Sequence, residues 1–329
     1  REVNPKKNTK MHIMWLLVHP LLILNLLKGS FGKSLDLIGK HKKTTLIPYH
    51  TIKTPKLQQC FSICHYSEKC RVMETTHSNS FNCKFFDVTL QASDITGLDL
   101  NTNIYAETRN CQDLYNIGVR ASGDYHLNIF GDGYEYPLFC HFDADGGWIV
   151  IQRHIDNEFS FHRQWDVYKE GFGDSKGSFW LGLELIHKIT RDQSQQVKIE
   201  AVSFSGDFAM AKYGAFSVAS EDENYLLSVD DFDAIASNKM DILYYSIGME
   251  FSTWERDHDK HENNCANGWN SRGGWWYNKC GDFMPNAQWY PEEQAYKPVG
   301  DGWKGMRYGP ITESWTLKST LILIKPKDN

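Results

Sequence analysis

The sequence predicts a chain of the α+β class with two folded units. All eight cysteines lie beyond residue 59, four of them between residues 60 and 83 and four spread from residue 111 to residue 280. Ten of the 11 tryptophans lie between Trp148 and Trp315, and none lies between residues 33 and 110. Apolar residues recur with helical spacing in some segments and alternate as in strands in others. We therefore expect a small unit at residues 33–108 and a larger unit at residues 109–329.

Residues 1–32 have the pattern of upstream residues followed by a secretory signal peptide. After a polar, basic lead, an apolar run extends from Ile13 to Leu27 and is followed by small residues up to Gly32. The run contains a histidine and a proline and is shorter than the roughly 20 residues that cross a bilayer. This favours a cleaved signal peptide over the alternative, a membrane anchor. We expect cleavage after Gly32 and a secreted, extracellular mature chain without a membrane span.

Composition and charge limit the classes of molecule that the chain is expected to bind. Because 41% of the residues are hydrophobic and 14% are aromatic, the chain can build cores, and disorder is a poor overall interpretation. The formal net charge is −6, and residues 1–32 hold five basic side chains against one acidic side chain, so the remainder is still more acidic. An acidic surface repels phosphate backbones, and no basic stripe interrupts it. We therefore expect no nucleic-acid partner.

The even number of cysteines predicts disulfides in a secreted chain. The last four form two pairs close in sequence, Cys111 with Cys140 and Cys265 with Cys280. The first four have the spacing C-x3-C-x5-C-x12-C. The alternative for these four, a structural zinc site, usually has C-x2-C pairs, which this cluster lacks.

The small unit combines a helix with short strands. Residues 57–64 place apolar or cysteine residues three and four positions apart, and Thr54-Pro55 is a good helix start. The segments 80–90 and 103–107 are typical of strands. A helix with two cysteines joined to a strand cysteine resembles the PAN/apple domain over residues 33–108. That resemblance implies Cys60 with Cys83 and Cys64 with Cys70, and a module that binds proteins or carbohydrate.

The large unit resembles the fibrinogen C-terminal domain over residues 109–327. The alternation from Tyr125 to Ile129 predicts a strand, the run from Trp148 to Ile151 a buried central strand, and the segment beginning at Gly182 a short helix. The motifs that carry the resemblance are Asn110-Cys111, Ser122-Gly123-x-Tyr125, Gly146-Gly147-Trp148, Ile151-Gln152-Arg153, Gly171-Phe172-Gly173, Phe179-Trp180-Leu181-Gly182-Leu183-Glu184, Phe251-Ser252-Thr253, Asn264-Cys265-Ala266, Gly274-Trp275-Trp276-Tyr277 and Trp303-Lys304-Gly305. The resemblance implies a globular domain with a twisted antiparallel sheet and short helices.

The segment 251–266, FSTWERDHDKHENNCA, is strongly acidic and invites three interpretations. A block of charge is usually a solvated loop. His258 and His261 suggest a transition-metal site, although a third strong nitrogen or sulfur ligand is missing. Alternating carboxylates on a loop also suit Ca²⁺, which takes six to eight oxygen ligands.

The resemblance to the fibrinogen C-terminal domain favours calcium in this loop. Carried over by position, it implies the side chains of Asp257 and Asp259 and the backbone carbonyls of His261 and Asn263 as ligands. Glu255 is interpreted as a supporting negative charge. A disulfide between Cys265 and Cys280 would then hold the loop against the segment 267–280.

A ligand pocket beside the calcium loop is a further implication of the resemblance. The residues predicted for it are Trp269, Trp276, Tyr277, Lys279, Cys280, Asn286 and Trp289. The family also implies a cis peptide between Lys279 and Cys280. The chain departs from the family after Cys280, because Gly281 stands in place of a pocket histidine and apolar residues 283–285 stand in place of polar ones. The alternative for the aromatic residues, and for Trp276 in particular, is a place in the core.

No catalytic constellation is evident in the sequence. The chain has no H-E-x-x-H or G-x-x-x-x-G-K-[ST] motif, so we expect a non-enzymatic protein. Two functions fit: a calcium-dependent, lectin-like module of innate defence or cell-surface recognition, and a protein-binding matrix factor or receptor ligand. The expected partner is accordingly a glycan or an extracellular protein. Because a single sugar site binds weakly, a lectin would gain from clustering in a homo-oligomer.

Overall fold

A computed structural model describes eleven stretches of the chain. They are residues 36–40, 43–44, 48–67, 70–86, 95–96, 102–106, 108–238, 241–267, 273–295, 305–312 and 316–327. The predicted signal peptide and Trp269 lie outside the described residues. Among the described residues, no helix is both long and apolar enough to cross a bilayer.

The described residues of the small unit form antiparallel sheets and a helix. Its elements are β1 (Asp36–Lys40), β2 (Lys43–Thr44), β3 (His50–Thr54), α1 (Leu57–Tyr66), β4 (Val72–His77), β5 (Phe81–Phe86), β6 (Ile95–Thr96) and β7 (Thr102–Ala106). Five strands form one sheet in the order β1-β7-β4-β5-β3, and β2 pairs with β6. Helix α1 begins three residues after the predicted start at Thr54, because Thr54 ends β3 and the N-cap is Lys56, whose backbone is extended.

Two disulfides hold α1 against the sheet. Cys60 is bonded to Cys83 on β5, and Cys64 is bonded to Cys70 ahead of β4. All four cysteines are fully buried and pack with Met73 and Phe85 in one cluster. This is the pairing that the PAN/apple resemblance implied, while the assignment of the unit to that family stays a prediction.

The large unit is mostly sheet, with a few short helices. It contains α2 (Cys111–Asn116), β8 (Gly123–Leu127), β9 (Tyr136–Asp143), β10 (Gly146–His154), α3 (Trp165–Glu170), β11 (Phe172–Gly173), β12 (Phe179–Trp180), α4 (Leu183–Arg191), β13 (Gln195–Ser203), β14 (Phe208–Val218), β15 (Leu227–Phe232), β16 (Phe283–Met284), α5 (Glu292–Ala295), β17 (Arg307–Tyr308) and β18 (Leu317–Pro326). Short 3₁₀ turns occur at Glu221–Glu223 and Gly309–Ile311.

Strand β10 lies at the centre of this sheet, as its apolar sequence predicts. The strand order in the sheet is β11-β12-β10-β18-β13-β14-β15. In addition, β9 pairs with both β10 and β8, and the strand pairs are antiparallel. Every residue of β10 is buried except the half-buried Arg153. Helix α2 packs on β10 and is tied to β9 by the disulfide between Cys111 and Cys140.

The predicted helix that begins after Gly182 is α4. Gly182 is its N-cap and has a φ of 107°, in the region that favours glycine. A Cβ at this position would lie 2.8 Å from backbone atoms of Glu170, so the ends of α3 and α4 meet only because Gly182 has no side chain. The amphipathic α4 buries Leu183 and Ile186 in the main core.

An aromatic core fills the space between α3 and the acidic segment. Trp165, Tyr168, Trp180, Phe251 and Trp276 are each almost fully buried, and their ring centroids lie 5.1–6.2 Å apart in successive pairs. Edge-to-face and tilted pairs of this kind contribute beyond the burial of their area. This core fixes the base of the loop on which the candidate site is built.

Candidate functional site

The acidic segment 251–266 is an irregular loop with an anchored base. Ser252 and Trp275 exchange two backbone hydrogen bonds, of 3.0 and 3.1 Å, and both residues are buried. At the other end, the Nδ2 atom of Asn264 donates to the carbonyls of Thr253 and Trp254, at 3.0 and 3.3 Å. The loop is thereby closed on itself, and the acidic residues between these anchors are held at the surface.

Asp259 is the organising side chain of the loop. Its Oδ1 accepts a hydrogen bond of 2.8 Å from the backbone N–H of His261, and its Oδ2 accepts one of 2.8 Å from the backbone N–H of Cys265. Burial raises the pKa of Asp259, and the neighbouring Asp257 carboxylate adds to the rise, although the two backbone N–H groups oppose it. Two carboxylates therefore lie together where negative charge is disfavoured.

The loop histidines make local contacts with the backbone. Nδ1 of His258 lies 2.7 Å from the carbonyl of Phe251, and its ring packs edge-on against Trp165 at 5.3 Å. Nδ1 of His261 lies 3.0 Å from the backbone N of Asn263. Within the described residues, no three His, Cys, Asp or Glu side chains converge as a set of metal ligands. The donors available to a cation in this loop are therefore two carboxylates and backbone carbonyls.

Glu255, predicted as a supporting charge, has a different principal contact. Its Oε1 accepts a hydrogen bond of 2.6 Å from the backbone N–H of Trp165, the first residue of α3. A carboxylate at a helix N-terminus satisfies a backbone donor that has no partner within the helix. Glu255 thus joins the base of the loop to α3.

The disulfide between Cys265 and Cys280 connects the loop to the next segment. The cis peptide predicted before Cys280 is not found, and the described residues contain no cis bond. The chain turns by another route: Cys280 and Gly281 have φ values of 65° and 91°. Two successive residues with positive φ reverse the direction of the backbone without a cis bond.

A pocket of about 540 Å³ lies beside this disulfide, and we call it the Lys279 pocket. Its described lining residues are Tyr245, His261, Asn278, Lys279, Cys280, Gly281, Asp282, Met284 and Arg307. His261 therefore belongs both to the acidic loop and to the pocket wall. Nη2 of Arg307 lies 3.2 Å from Oδ1 of Asp282, and burial lowers the pKa of Arg307.

Six of the seven predicted pocket residues are described by the structure, and it does not bring these six together. Lys279 and Cys280 line the Lys279 pocket, but Asn286 and Trp289 line a second cavity. Trp276 and Tyr277 are 2% and 0% exposed, so they belong to the core and cannot form a wall that a ligand contacts. The indole of Trp276 donates to the buried carbonyl of Tyr225, which explains why it points inward.

Two of the apolar residues that stand in place of polar residues of the family, Phe283 and Met284, also have different positions. Met284 lines the Lys279 pocket, whereas Phe283 is buried between Trp275 and Tyr308. At Gly281, a Cβ would lie 3.3 Å from the Cβ of Tyr245. The glycine therefore leaves room for Tyr245, which is 46% exposed and packs edge-to-face with the 67% exposed Tyr244.

Tyr245, Asp282 and Arg307 were missed by the sequence analysis. Asp282 and Arg307 are brought together by the pairing of β16 with β17, in which Met284 lies opposite Arg307. Both strands have two residues, which is too short for an alternating pattern to be recognised. The signal available for Tyr245 was the adjacent tyrosine pair ahead of the acidic loop.

The chain matches the family model described as the C-terminal globular domain of fibrinogen beta and gamma chains, over residues 107–327. It is 30% identical to human fibrinogen-like protein 1 over 67% of this chain and 72% of the relative. It is 34% identical to human ficolin-3 over 60% of this chain and 65% of the relative, and 34% identical to human angiopoietin-1 over 67% and 43%. The chain thus spans between about two fifths and three quarters of these relatives' own length.

Solved structures show the same relationship. The fibrinogen-like globe domain of human ANGPTL2 is 30% identical, with a TM-score of 0.60 over 67% of this chain and 99% of that one. A lamprey fibrin D-dimer, complexed with the peptide ligand Gly-His-Arg-Pro-amide, is 27% identical, with a TM-score of 0.57 over 67% and 74%. The chain belongs to the family of the fibrinogen C-terminal globular domain, whose members are non-enzymatic recognition or ligand proteins.

Proposed function

We propose that this chain is a secreted, calcium-supported recognition protein that binds glycans in a lectin-like manner at the Lys279 pocket. The observation that carries the proposal is the double role of Asp259. Its carboxylate holds the backbone N–H groups of both His261, which lines the pocket, and Cys265, which is bonded to Cys280 of the pocket. A cation at Asp259 would therefore stiffen the pocket wall.

The donor set of the loop fits Ca²⁺. Asp257 and Asp259 would supply carboxylate oxygens, and His261 and Asn263 would supply backbone carbonyls, with water completing the coordination. The raised pKa of Asp259 supports this choice, because a divalent cation offsets the repulsion between two close carboxylates. The bound ion would contribute charge and rigidity, and the ligand would be contacted by the side chains of the pocket.

The Lys279 pocket suits a ligand rich in hydrogen-bond acceptors. Lys279 and Arg307 supply cationic donors, and Asp282 orients the guanidinium of Arg307. The exposed ring of Tyr245 offers a flat apolar face on the same wall. A sugar fits this pocket, because its ring can stack on an aromatic side chain and its oxygens can accept hydrogen bonds from the donors. A sugar with an acidic substituent fits best, because the donors are cationic.

The small unit supports recognition in this proposal. If residues 33–108 form a PAN/apple-like module, its sheet and α1 would add a second surface for a protein or a carbohydrate. Tyr49 and Ile63 are 44% and 37% exposed, so apolar side chains are available on this unit.

A second candidate function is the binding of a protein ligand. The adjacent Tyr244 and Tyr245 form an exposed aromatic pair at the edge of the Lys279 pocket, and tyrosine is enriched at protein interfaces. The similarity to human angiopoietin-1 and to a fibrin that was solved with a peptide ligand supports the same alternative.

The test is binding of the full chain to an array of glycans, with calcium and with a chelator. We expect binding in calcium, a loss of at least tenfold in chelator, and the same loss in Lys279→Ala. Lys176→Ala, a change of a 74% exposed lysine far along the sequence from the pocket, is the matched control and should bind normally. Binding of no glycan by the folded chain, together with capture of a cell-surface protein that Tyr245→Ala abolishes, would establish the second candidate instead.

A further inference from the structure

A second cavity, of about 570 Å³, is lined in part by the segment that follows Cys280. We call it the Trp289 pocket; its described lining consists of His154, Asn157, residues 159–162, Asn267, Asn286 and residues 288–289. It shares no described lining residue with the Lys279 pocket. In the segment 281–289, residues up to Met284 contribute to the first cavity and residues from Asn286 onward contribute to the second, and residues 283–287 are buried. The volume lies in the range of small-molecule sites.

The described lining of the Trp289 pocket is electrically neutral. It contains no Asp, Glu, Lys or Arg, and its titratable side chains are His154 and His162. His154 is 2% exposed, and burial lowers its pKa to about 4, so the imidazole is neutral near pH 7. Its Nδ1 lies 2.9 Å from the carbonyl oxygen of Pro285. In the neutral imidazole, the N–H at Nδ1 donates a hydrogen bond to this oxygen. A charged ligand would find no counter-charge on these walls, which sets this cavity apart from the Lys279 pocket.

One side of the cavity is aromatic and held in place. The indole Nε1 of Trp289 donates a hydrogen bond of 2.9 Å to the carbonyl of Lys318 on β18, and the half-buried ring packs near Phe204. Phe161 is stacked on His154 with a centroid distance of 4.0 Å and an interplanar angle of 21°. Phe159 is half-buried at the same wall. These rings are fixed by the fold, so a flat apolar surface exists before a ligand arrives.

The cavity lining also contains primary amides. Asn157, Asn267 and Gln288 are exposed at its rim, and each amide has both donor and acceptor groups. Asn286 at the buried floor is committed to the fold, because it accepts from Nε2 of Gln152 and donates to the carbonyl of Gly274. The floor is therefore rigid, and the rim amides are exposed, with Oε1 of Gln288 accepting a hydrogen bond of 3.1 Å from the hydroxyl of Tyr290. Sugar hydroxyl groups are donors and acceptors at once and match such amides.

We propose that the Trp289 pocket is a second carbohydrate site, which takes a neutral pyranose by stacking on Trp289 and by hydrogen bonds to Asn157 and Gln288. Its chemistry separates it from the calcium-supported site: it has aromatic and amide walls and no described charge, and none of its described lining residues is a proposed calcium ligand. The chain would then contact a glycan at two points, a neutral residue in this pocket and an acceptor-rich residue at the Lys279 pocket. Two weak sites on one chain raise avidity when a glycan spans both.

The test is binding of neutral methyl glycosides to the full chain, followed by saturation-transfer NMR with excess chelator present. We expect saturable binding of at least one neutral glycoside in chelator. The affinity should fall at least tenfold in Asn157→Ala and in Gln288→Ala, which change exposed side chains. It should stay unchanged in Lys279→Ala and in Gln193→Ala, a matched change of an exposed amide on the loop after α4.

Three results would overturn the second site. One is the absence of any saturable neutral glycoside binding by the folded chain. Another is binding that chelator or Lys279→Ala abolishes, because the sugar would then occupy the Lys279 pocket. The third is binding that survives both Asn157→Ala and Gln288→Ala, because the rim amides would then play no part. Each of these results can be obtained even if the chain binds no calcium. The experiment therefore tests the second carbohydrate site separately from the calcium-supported site.

Discussion

The carboxylate of Asp259 accepts a hydrogen bond of 2.8 Å from the backbone N–H of Cys265, the cysteine that is bonded to Cys280. One acidic side chain thereby ties the charged loop to the disulfide that carries the wall of the Lys279 pocket. The hydrogen bond explains why an acidic segment stands directly before Cys265 in the sequence. The carboxylate orders the loop through backbone hydrogen bonds, and the disulfide transmits that order to Lys279 and Gly281.

The two loop aspartates are expected to differ in their effect on stability when no calcium is present. Asp259→Ala removes acceptors from two backbone N–H groups and should lower the free energy of unfolding by about 2 kcal/mol. Asp257→Ala removes one longer contact of 3.3 Å and the repulsion on Asp259, so its effect should stay within about 0.5 kcal/mol. Urea denaturation in chelator measures both. Equal losses in the two variants would show that Asp259 does not organise the loop.

Stability should fall in mild acid because of His154. Burial lowers the pKa of His154 to about 4, against about 6.5 in an unfolded chain. Between these values the unfolded state binds a proton that the folded state does not, so the free energy of unfolding falls as the pH drops, by about 3 kcal/mol in total. The measurement is denaturation of the wild-type chain and His154→Gln from pH 7 to pH 4. We expect the variant to lack this part of the pH dependence; parallel curves would contradict a neutral, buried His154.

Lys198 is expected to stabilise the sheet through its buried ion pair. Its side chain is 4% exposed, and its ammonium contacts the carboxylate of Asp143, which is 25% exposed, and lies 4.8 Å from the ring centroid of Trp148. Burial favours the protonated form of Asp143, but Lys198 overrides this and lowers the pKa of that carboxyl. Removing one partner of such a pair leaves the other uncompensated, so Lys198→Met should cost about 3 kcal/mol.

A double-mutant cycle separates this ion pair from simple packing. In an Asp143→Asn background, Lys198→Met should cost at least about 1 kcal/mol less than in the wild-type chain, because the stranded charge is gone. Denaturant unfolding of the four proteins gives the coupling free energy. Additive losses would mean that the ion pair with Asp143 contributes nothing measurable to stability.

The contact between α2 and β10 requires glycine at position 147. A Cβ there would lie 2.1 Å from the carbonyl oxygen of Cys111, which is backbone and cannot move aside easily. Gly147→Ala should therefore lower the free energy of unfolding by about 3 kcal/mol. Gly123 on β8 has open space around its would-be Cβ and serves as the control, with an expected change within about 0.5 kcal/mol. A tolerated Gly147→Ala would contradict this packing of α2.

The fold could be predicted well from the sequence, because it depends on local patterns of apolar residues and on motifs that follow one another in a fixed order along the chain. The apolar run around Trp148 predicts a central strand, and the ordered motifs from Asn110 to Gly305 led to the family resemblance, which the family match confirms. The charged segment was recognised by its composition. Its calcium ligands remain a prediction that rests on the resemblance and on the raised pKa of Asp259.

The ligand pocket could not be predicted in the same way. A tryptophan that stacks on a sugar and a tryptophan that fills a core have the same side chain, and only burial distinguishes Trp276 from Trp289. Asp282 and Arg307 come together through a two-residue strand pair, and nothing local in the sequence signals that contact. Sites built from such long-range pairings require the structure.

The most direct test of the calcium-supported site is a calorimetric titration of the chelator-treated full chain with Ca²⁺. We predict saturable binding of one ion per chain, with a rise in thermal stability that follows mass action as calcium exceeds the dissociation constant. Asp257→Ala combined with Asp259→Ala should abolish both effects. A wild-type chain that binds no calcium, or a double variant that binds it unchanged, would contradict the account.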